Sequence, residues 1–263
     1  MKSRAVQNSP RRRLLAVHGF TGEPYDFAPL YESGKLSLDW RFVTLPGHVR
    51  EWRPARRPDD LTGWRHFCEQ VSQVVEEASA DGAVLSVLAY SMGARLLLRA
   101  QLEWQWPFAS LFLVGVSAGL EDSEQRSLRW QCDQQWATLL REQGLHAFLK
   151  AWLDQPILRS QLSQSSIWSQ QRLQRKHLLD PEALAQSLLD FSNGSLEPVW
   201  DRLHQVRLPV HLIAGEHDLK FRSLHERMQS LFCNASCQTL PGVGHAPHLE
   251  DPGAFVSLLR EVL

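Results

Sequence analysis

The chain has 263 residues, 43% of them hydrophobic and 22% charged, a globular composition that excludes a disordered, collagenous or coiled-coil protein. At this length about 73% of the unfolded surface can be buried in one core, so neither disulfide nor metal staples are needed. Lys and Arg number 28 against 29 Asp and Glu, a net charge of −1, which leaves no electrostatic footprint for nucleic acid or an anionic membrane.

In chain order, residues 1–13 are basic and polar, and the apolar run at 14–17 is too short for a signal-peptide core. No export is expected. Residues 14–17 and 42–45 are short apolar runs closed by His18-Gly19 and Pro46-Gly47, and both read as central strands buried on two faces. Leu61, Trp64, Cys68, Val71, Val75 and Ala78 follow the three-four spacing of a helix with one buried stripe. A strand over 83–89, a helix over 92–102 and a strand over 110–116 come next, and strand-helix alternation predicts a mostly parallel sheet with helices on both faces.

From 119 to 205 the rhythm changes. No strand-like run occurs, and five of the ten tryptophans (Trp130, Trp136, Trp152, Trp168, Trp200) fall there. Helical spacing of Trp136, Leu139, Leu140, Leu145, Phe148, Leu149 and Trp152, with Asp180-Pro181 as an N-cap and first helical residue, makes this an inserted helical cap. Alternation resumes with a strand at 210–214, a helix near 223–231, a strand near 238–240 and a helix over 252–263. The expected domains are a core of 1–118 and 206–263 and a cap of 119–205. No run approaches the ~20 apolar residues of a membrane helix, so no membrane contact is expected. The four cysteines, Cys68, Cys132, Cys233 and Cys237, contain no C-x-x-C pair; no metal is expected, and a reducing cytoplasm suits them.

Ala89-Tyr90-Ser91-Met92-Gly93 stands where a buried strand turns into a helix, the context of a nucleophile elbow. Alone the pentapeptide also reads as a serine N-cap. Two later pieces strengthen the first reading: residues 210–218 deliver an acid to the end of a strand, and Gly242-Val243-Gly244-His245 puts a histidine in a glycine-rich loop. The order serine, acid, histidine is that of α/β-hydrolases, and a parallel sheet gathers such loops at one edge. Asp218 is the candidate acid with Glu216 as its rival, and His245 the candidate base with His248 as its rival. The loop His18-Gly19-Phe20-Thr21-Gly22 follows the first strand, so the backbone N–H groups of Phe20 and Met92 are candidates for an oxyanion hole. Arg95, four residues after Ser91, is positioned either as a surface charge or as a carboxylate clamp. The cap adds Arg126, Arg129, Arg159, Arg172 and Arg175, most of them expected to face solvent.

With those residues in place, the chain resembles the 2-succinyl-6-hydroxy-2,4-cyclohexadiene-1-carboxylate synthases of menaquinone biosynthesis, a family within the α/β-hydrolase superfamily. The resemblance spans nearly the whole chain. It rests on the segment from Gly119 to Trp130 (GLEDSEQRSLRW), on Trp152-Leu153-Asp154-Gln155-Pro156, and on Gly215-Glu216-His217-Asp218-Leu219-Lys220-Phe221, the last favouring Asp218 as the acid. It implies a lyase that eliminates pyruvate without a metal or organic cofactor, with Ser91 as a base activated by His245 and oriented by Asp218. The implied partner is a small molecule bearing several carboxylates, held by Tyr90, Arg95, Arg129, Trp152 and a third cation at Arg175 or its neighbour Lys176. A monomer is expected. Ala89 at the elbow and Val49 after Pro46-Gly47-His48 depart from the family pattern, and neither is a chemical group of the site. A carboxylesterase or thioesterase working through an acyl-serine is the alternative.

Overall fold

The computed structural model describes residues 11–48, 62–163 and 167–263; Val49 and Leu61 lie outside them. The first strand, β1 (Arg12–Val17), shows how the layers form. Leu15 and Val17 face one hydrophobic layer and Leu14 and Ala16 the other, as the period of two along a strand requires. After the short helix α1 (Ala28–Tyr31) come β2 (Asp39–Val43), helix α2 (Thr62–Ala80), β3 (Val84–Tyr90), helix α3 (Met92–Trp104) and β4 (Leu111–Val114). The helical segment contains α4 (Ser123–Leu153), α5 (Ile167–Lys176) and α6 (Pro181–Asp190), and the chain ends with β5 (Val210–Gly215), α7 (Leu219–Gln229), β6 (Ala235–Leu240), α8 (Pro247–Glu250) and α9 (Pro252–Val262).

The strands form one sheet in the order β2-β1-β3-β4-β5-β6, and every pairing among the described residues is parallel. Phe67, Cys68 and Val71 of α2, Leu96 and Leu97 of α3 and Met228 of α7 cover one face. Leu30 of α1 and Phe255 and Leu259 of α9 cover the other. One expectation is corrected: the run at 42–45 does not form a central strand, because β2 is at the sheet's edge and only its Val43 is fully enclosed. Its apolar character has another cause, since Trp40 and Phe42 lie under the ring of Tyr31, at 6.1 and 5.5 Å between centroids.

The segment between β4 and β5 is helical, with local signals that account for its starts and breaks. Asp122 caps α4 by accepting the N–H of Gln125 at 2.7 Å, and Asp180 caps α6 by accepting that of Ala183 at 2.7 Å, with Pro181 in the first helical position. Within α4 the backbone breaks at Gly144 (φ 77°, ψ 176°), between the two halves of the apolar pattern. Ala137, Leu140, Phe148 and Leu149 of α4 and Leu184 and Ala185 of α6 make a separate small core.

Candidate active site

In a parallel sheet all strands end at one edge, so β1, β3, β5 and β6 deliver their following loops to the same place. Ser91 follows β3 directly and caps α3 with φ 50° and ψ −113°, a region a non-glycine residue enters only when its surroundings force it. The peptide is held there by the N–H of Ser91 donating to the Val114 carbonyl at 2.8 Å. Gly93 completes the turn because a Cβ at that position would come within 2.2 Å of the His18 carbonyl oxygen. Ala89, by contrast, is still inside the strand, where its methyl packs into the core.

The structure brings Ser91, His245 and Asp218 together. His245 Nε2 is 3.2 Å from Ser91 Oγ, and its Nδ1 is 2.6 Å from Asp218 Oδ2. Asp218 does both jobs its position allows: Oδ2 holds the imidazole, and Oδ1 caps α7 by accepting the Phe221 N–H at 3.4 Å. The rivals stand elsewhere. Glu216 is exposed and accepts the N–H of Gly242 at 2.8 Å; His248 is fully buried among Tyr90, Phe27 and Phe255. Burial lowers the pKa of His248 to about 3, so it stays neutral. The ring of His245 is packed between Phe221 and Tyr90, at 4.6 and 5.4 Å between centroids.

A cleft of about 170 Å³ opens above Ser91, and Phe20, Met92, Arg95, Arg129, Trp152 and His245 are among the residues that line it. Met92 is the first residue of α3, so its N–H has no acceptor within the helix and lies at the positive end of the helix dipole. The Phe20 ring meets Trp152 at 5.1 Å and Phe148 at 6.2 Å, which ties the 18–22 loop to the cap. Arg95 projects into the same space. Its Nη1 is shut off from solvent with no hydrogen-bond partner among the described residues, and burial, reinforced by repulsion from Arg129, lowers its pKa to about 10 despite the attraction of Asp133. Arg129 is already compensated, because its guanidinium grips both oxygens of Asp133. The second Asp133 oxygen also accepts from Ser192 Oγ at 2.6 Å.

Two of the residues expected to hold substrate are placed away from this cleft. Tyr90 is the last residue of β3, and strand alternation sends it with Leu88 to the opposite face from Ala89. Its ring lies beside those of His245 and His248, and its hydroxyl accepts from Gln161 Nε2 at 3.3 Å. Arg175 points outward from α5, where it makes a two-point ion pair with Glu23 at 2.5 and 2.8 Å and covers the Tyr25 ring. Helical phase explains the difference: Arg172 and Lys176, four apart, face inward. Arg172 is only 4% exposed, contrary to the expectation that such cap arginines face solvent, and donates to Gln161 Oε1 at 3.1 Å. Lys176 donates to the carbonyl and hydroxyl oxygens of Thr21, so it supports the 18–22 loop, and burial lowers its pKa to about 8.

Sequence reasoning passed over Asp133, Asn193 and Lys220, which also line the cleft. The four-residue spacing of Arg129 and Asp133 was a usable signal for the first, although on a helix it reads equally as a surface pair. Asn193 gave no signal; its Oδ1 is buried without a partner among the described residues, because the chain turns there after α6.

Comparison with known proteins decides the family. A family model described as "Alpha/beta hydrolase family" matches residues 14–258. The chain belongs to the alpha/beta hydrolase family. Within this hydrolase family, an Escherichia coli (strain SMS-3-5) protein named 2-succinyl-6-hydroxy-2,4-cyclohexadiene-1-carboxylate synthase is 26% identical over 95% of this chain and 93% of its own. The Arabidopsis thaliana protein PHYLLO, chloroplastic, is 26% identical over 98% of this chain, which spans only 16% of that longer protein. The hydrolase fold is shared with MenH from S. aureus, with a TM-score of 0.84 at 23% identity over 97% of this chain and 94% of that one. The resemblance read from the motifs and the sequence relatives thus agree, and the parallel sheet covered by helices is the α/β-hydrolase architecture that the sequence led us to expect.

Proposed function

We propose that the protein is a carbon-oxygen lyase that eliminates pyruvate from 2-succinyl-5-enolpyruvyl-6-hydroxy-3-cyclohexene-1-carboxylate to give 2-succinyl-6-hydroxy-2,4-cyclohexadiene-1-carboxylate. The observation that carries this reading is Arg95: an enclosed guanidinium whose Nη1 has no hydrogen-bond partner among the described residues, one helical turn from Ser91, in a cleft large enough for a ring. A simple ester gives such a charge nothing to pair with. A substrate with several carboxylates does, and bidentate pairing is what a guanidinium offers. Arg129, compensated by Asp133, and Lys220 at the rim are further cations for the same guest.

The hydrogen on the ring carbon that bears the succinyl group lies beside a carbonyl, so its loss places negative charge on oxygen. Ser91 takes that proton while passing its own to His245 Nε2, and Asp218 stabilises the imidazolium through Nδ1. In this reading the N–H groups of Phe20 and Met92, with the helix dipole behind Met92, stabilise the developing oxyanion; one such donor is typically worth roughly 3–4 kcal/mol. The electron pair then moves around the ring, forming the diene and breaking the bond to the enolpyruvyl oxygen. Pyruvate leaves as its enolate and regains a proton from His245. No covalent enzyme intermediate and no cofactor enters this sequence.

In this reading the partner is the small acidic substrate alone, and neither nucleic acid nor membrane takes part. Among the described residues no helix is long and apolar enough to cross a membrane. The four cysteines are unpaired, which favours a reducing cytoplasm. A monomer suffices, since one chain supplies every group named.

The test is direct. Purified protein is given the enolpyruvyl substrate, and pyruvate is followed together with the ultraviolet absorbance of the conjugated product. Stoichiometric release of both, abolished by Ser91→Ala and His245→Ala, supports the lyase. Hydrolysis of ester substrates with a covalent Ser91 adduct, and no pyruvate, would establish the acyl-serine alternative instead.

A further inference from the structure

Glu250 is 7% exposed and has no part in the chemistry above, yet both of its carboxylate oxygens are used around His245. Oε2 accepts the N–H of Gly244 at 2.7 Å, and Oε1 accepts the N–H of Ala246 at 3.0 Å. These are the N–H groups of the two residues that flank the histidine. The return is closed by the main chain, since the N–H groups of Leu249 and Glu250 donate to the Ala246 carbonyl at 2.8 and 2.9 Å. The cap reaches the same carboxylate: Ser160, in the turn over Arg159–Ser163, donates its hydroxyl to Glu250 Oε1 at 3.0 Å.

We propose, on the Ser91–His245–Asp218 reading of the site, that Glu250 with Ser160 is a positioning clamp that sets the backbone of His245 and makes the cap part of the base's alignment. A charged acceptor fixes two peptide N–H groups more firmly than neutral partners do. The imidazole must meet Ser91 at one end and Asp218 at the other, so a small rotation of its peptides lengthens both contacts. A glutamine at this position keeps the shape but turns an N–H₂ toward one of the two backbone donors.

The full-length protein, Glu250→Gln and Ser160→Ala are compared in two assays. In the first, a fluorophosphonate reacts with Ser91, forming an Oγ–P bond and expelling fluoride while the hydroxyl proton passes to His245; this reports triad alignment whatever the natural substrate is. In the second, kcat and KM for pyruvate release are measured. At temperatures where all variants are folded by circular dichroism, Glu250→Gln is expected to label at least tenfold more slowly and Ser160→Ala two- to fivefold more slowly. In both, kcat should fall with KM little changed. Labelling of Glu250→Gln at the wild-type rate overturns the proposal. If that variant does not fold, Ser160→Ala decides, and wild-type labelling by it overturns the proposal. Slower labelling by the variants alongside a wild-type protein that releases no pyruvate upholds the clamp and rejects the lyase.

Discussion

Replacing Arg95 with methionine should raise stability and lower activity in the same protein. Burial takes the arginine pKa down from its ordinary value to about 10, so the charged form is disfavoured there by roughly 3 kcal/mol relative to the unfolded chain. This cost is present at every pH below 10, and it diminishes above 10 as the folded form releases its proton first. Methionine keeps most of the volume and removes the charge. With some packing lost, a net gain of about 1–2 kcal/mol is expected, or roughly 3–6 °C in Tm. Activity should move the other way. Two charge-assisted hydrogen bonds to a substrate carboxylate are worth about 3–4 kcal/mol together, so kcat/KM for pyruvate release should drop by roughly 10²–10³. Scanning calorimetry at pH 7 and a lactate-dehydrogenase-coupled pyruvate assay measure the two quantities. A variant that is less stable than wild type and keeps kcat/KM within threefold would show that Arg95 is a structural cation and not a carboxylate site.

Asp218→Asn should leave binding nearly intact and reduce kcat by roughly 10³–10⁴, because the amide favours the wrong imidazole tautomer; a fall below tenfold in the pyruvate assay would remove Asp218 from the triad. His248→Phe should stabilise the protein at pH 7 by about 1–2 kcal/mol, since both ring nitrogens of His248 are buried without a partner among the described residues. The folded pKa near 3 lies below the unfolded value, so stability is lost as pH falls from about 6.5 toward 3. The advantage of the phenylalanine variant in Tm should therefore widen toward pH 4, and an equal gap at pH 7 and pH 4 would contradict the assignment. His18 and His225, each lowered to about 4 by burial, keep part of the acid slope in that variant. Gly115→Ala should cost at least tenfold in kcat, because Gly115 has φ 58° and an added Cβ would come within 2.6 Å of His245 Cε1; wild-type turnover in this variant would mean that the imidazole moves freely.

Much of the site was legible before folding. The small residues around Ser91, the acid at the end of a strand and the histidine in a glycine-rich loop are local patterns, each demanded by backbone geometry within a few residues. Strand and helix identity followed from hydrophobic period in the same way, and the cap at Asp180 from the proline after it. The rest needed three dimensions. The place of β2 at the edge is a pairing choice between distant segments, and the covering of Trp40 and Phe42 by Tyr31 made its sequence look central. Whether Tyr90 or Arg175 faces the cleft depends on strand alternation and helical phase measured against neighbours that the sequence does not specify. Glu250 looks like any acid near the end of a short helix until the fold returns its carboxylate to the N–H groups of Gly244 and Ala246, on either side of His245. Periodicity and turn chemistry act over one or two turns of chain and can be read directly; burial, charge compensation and the direction of a side chain are set by whatever packs against it, and only the folded chain determines that.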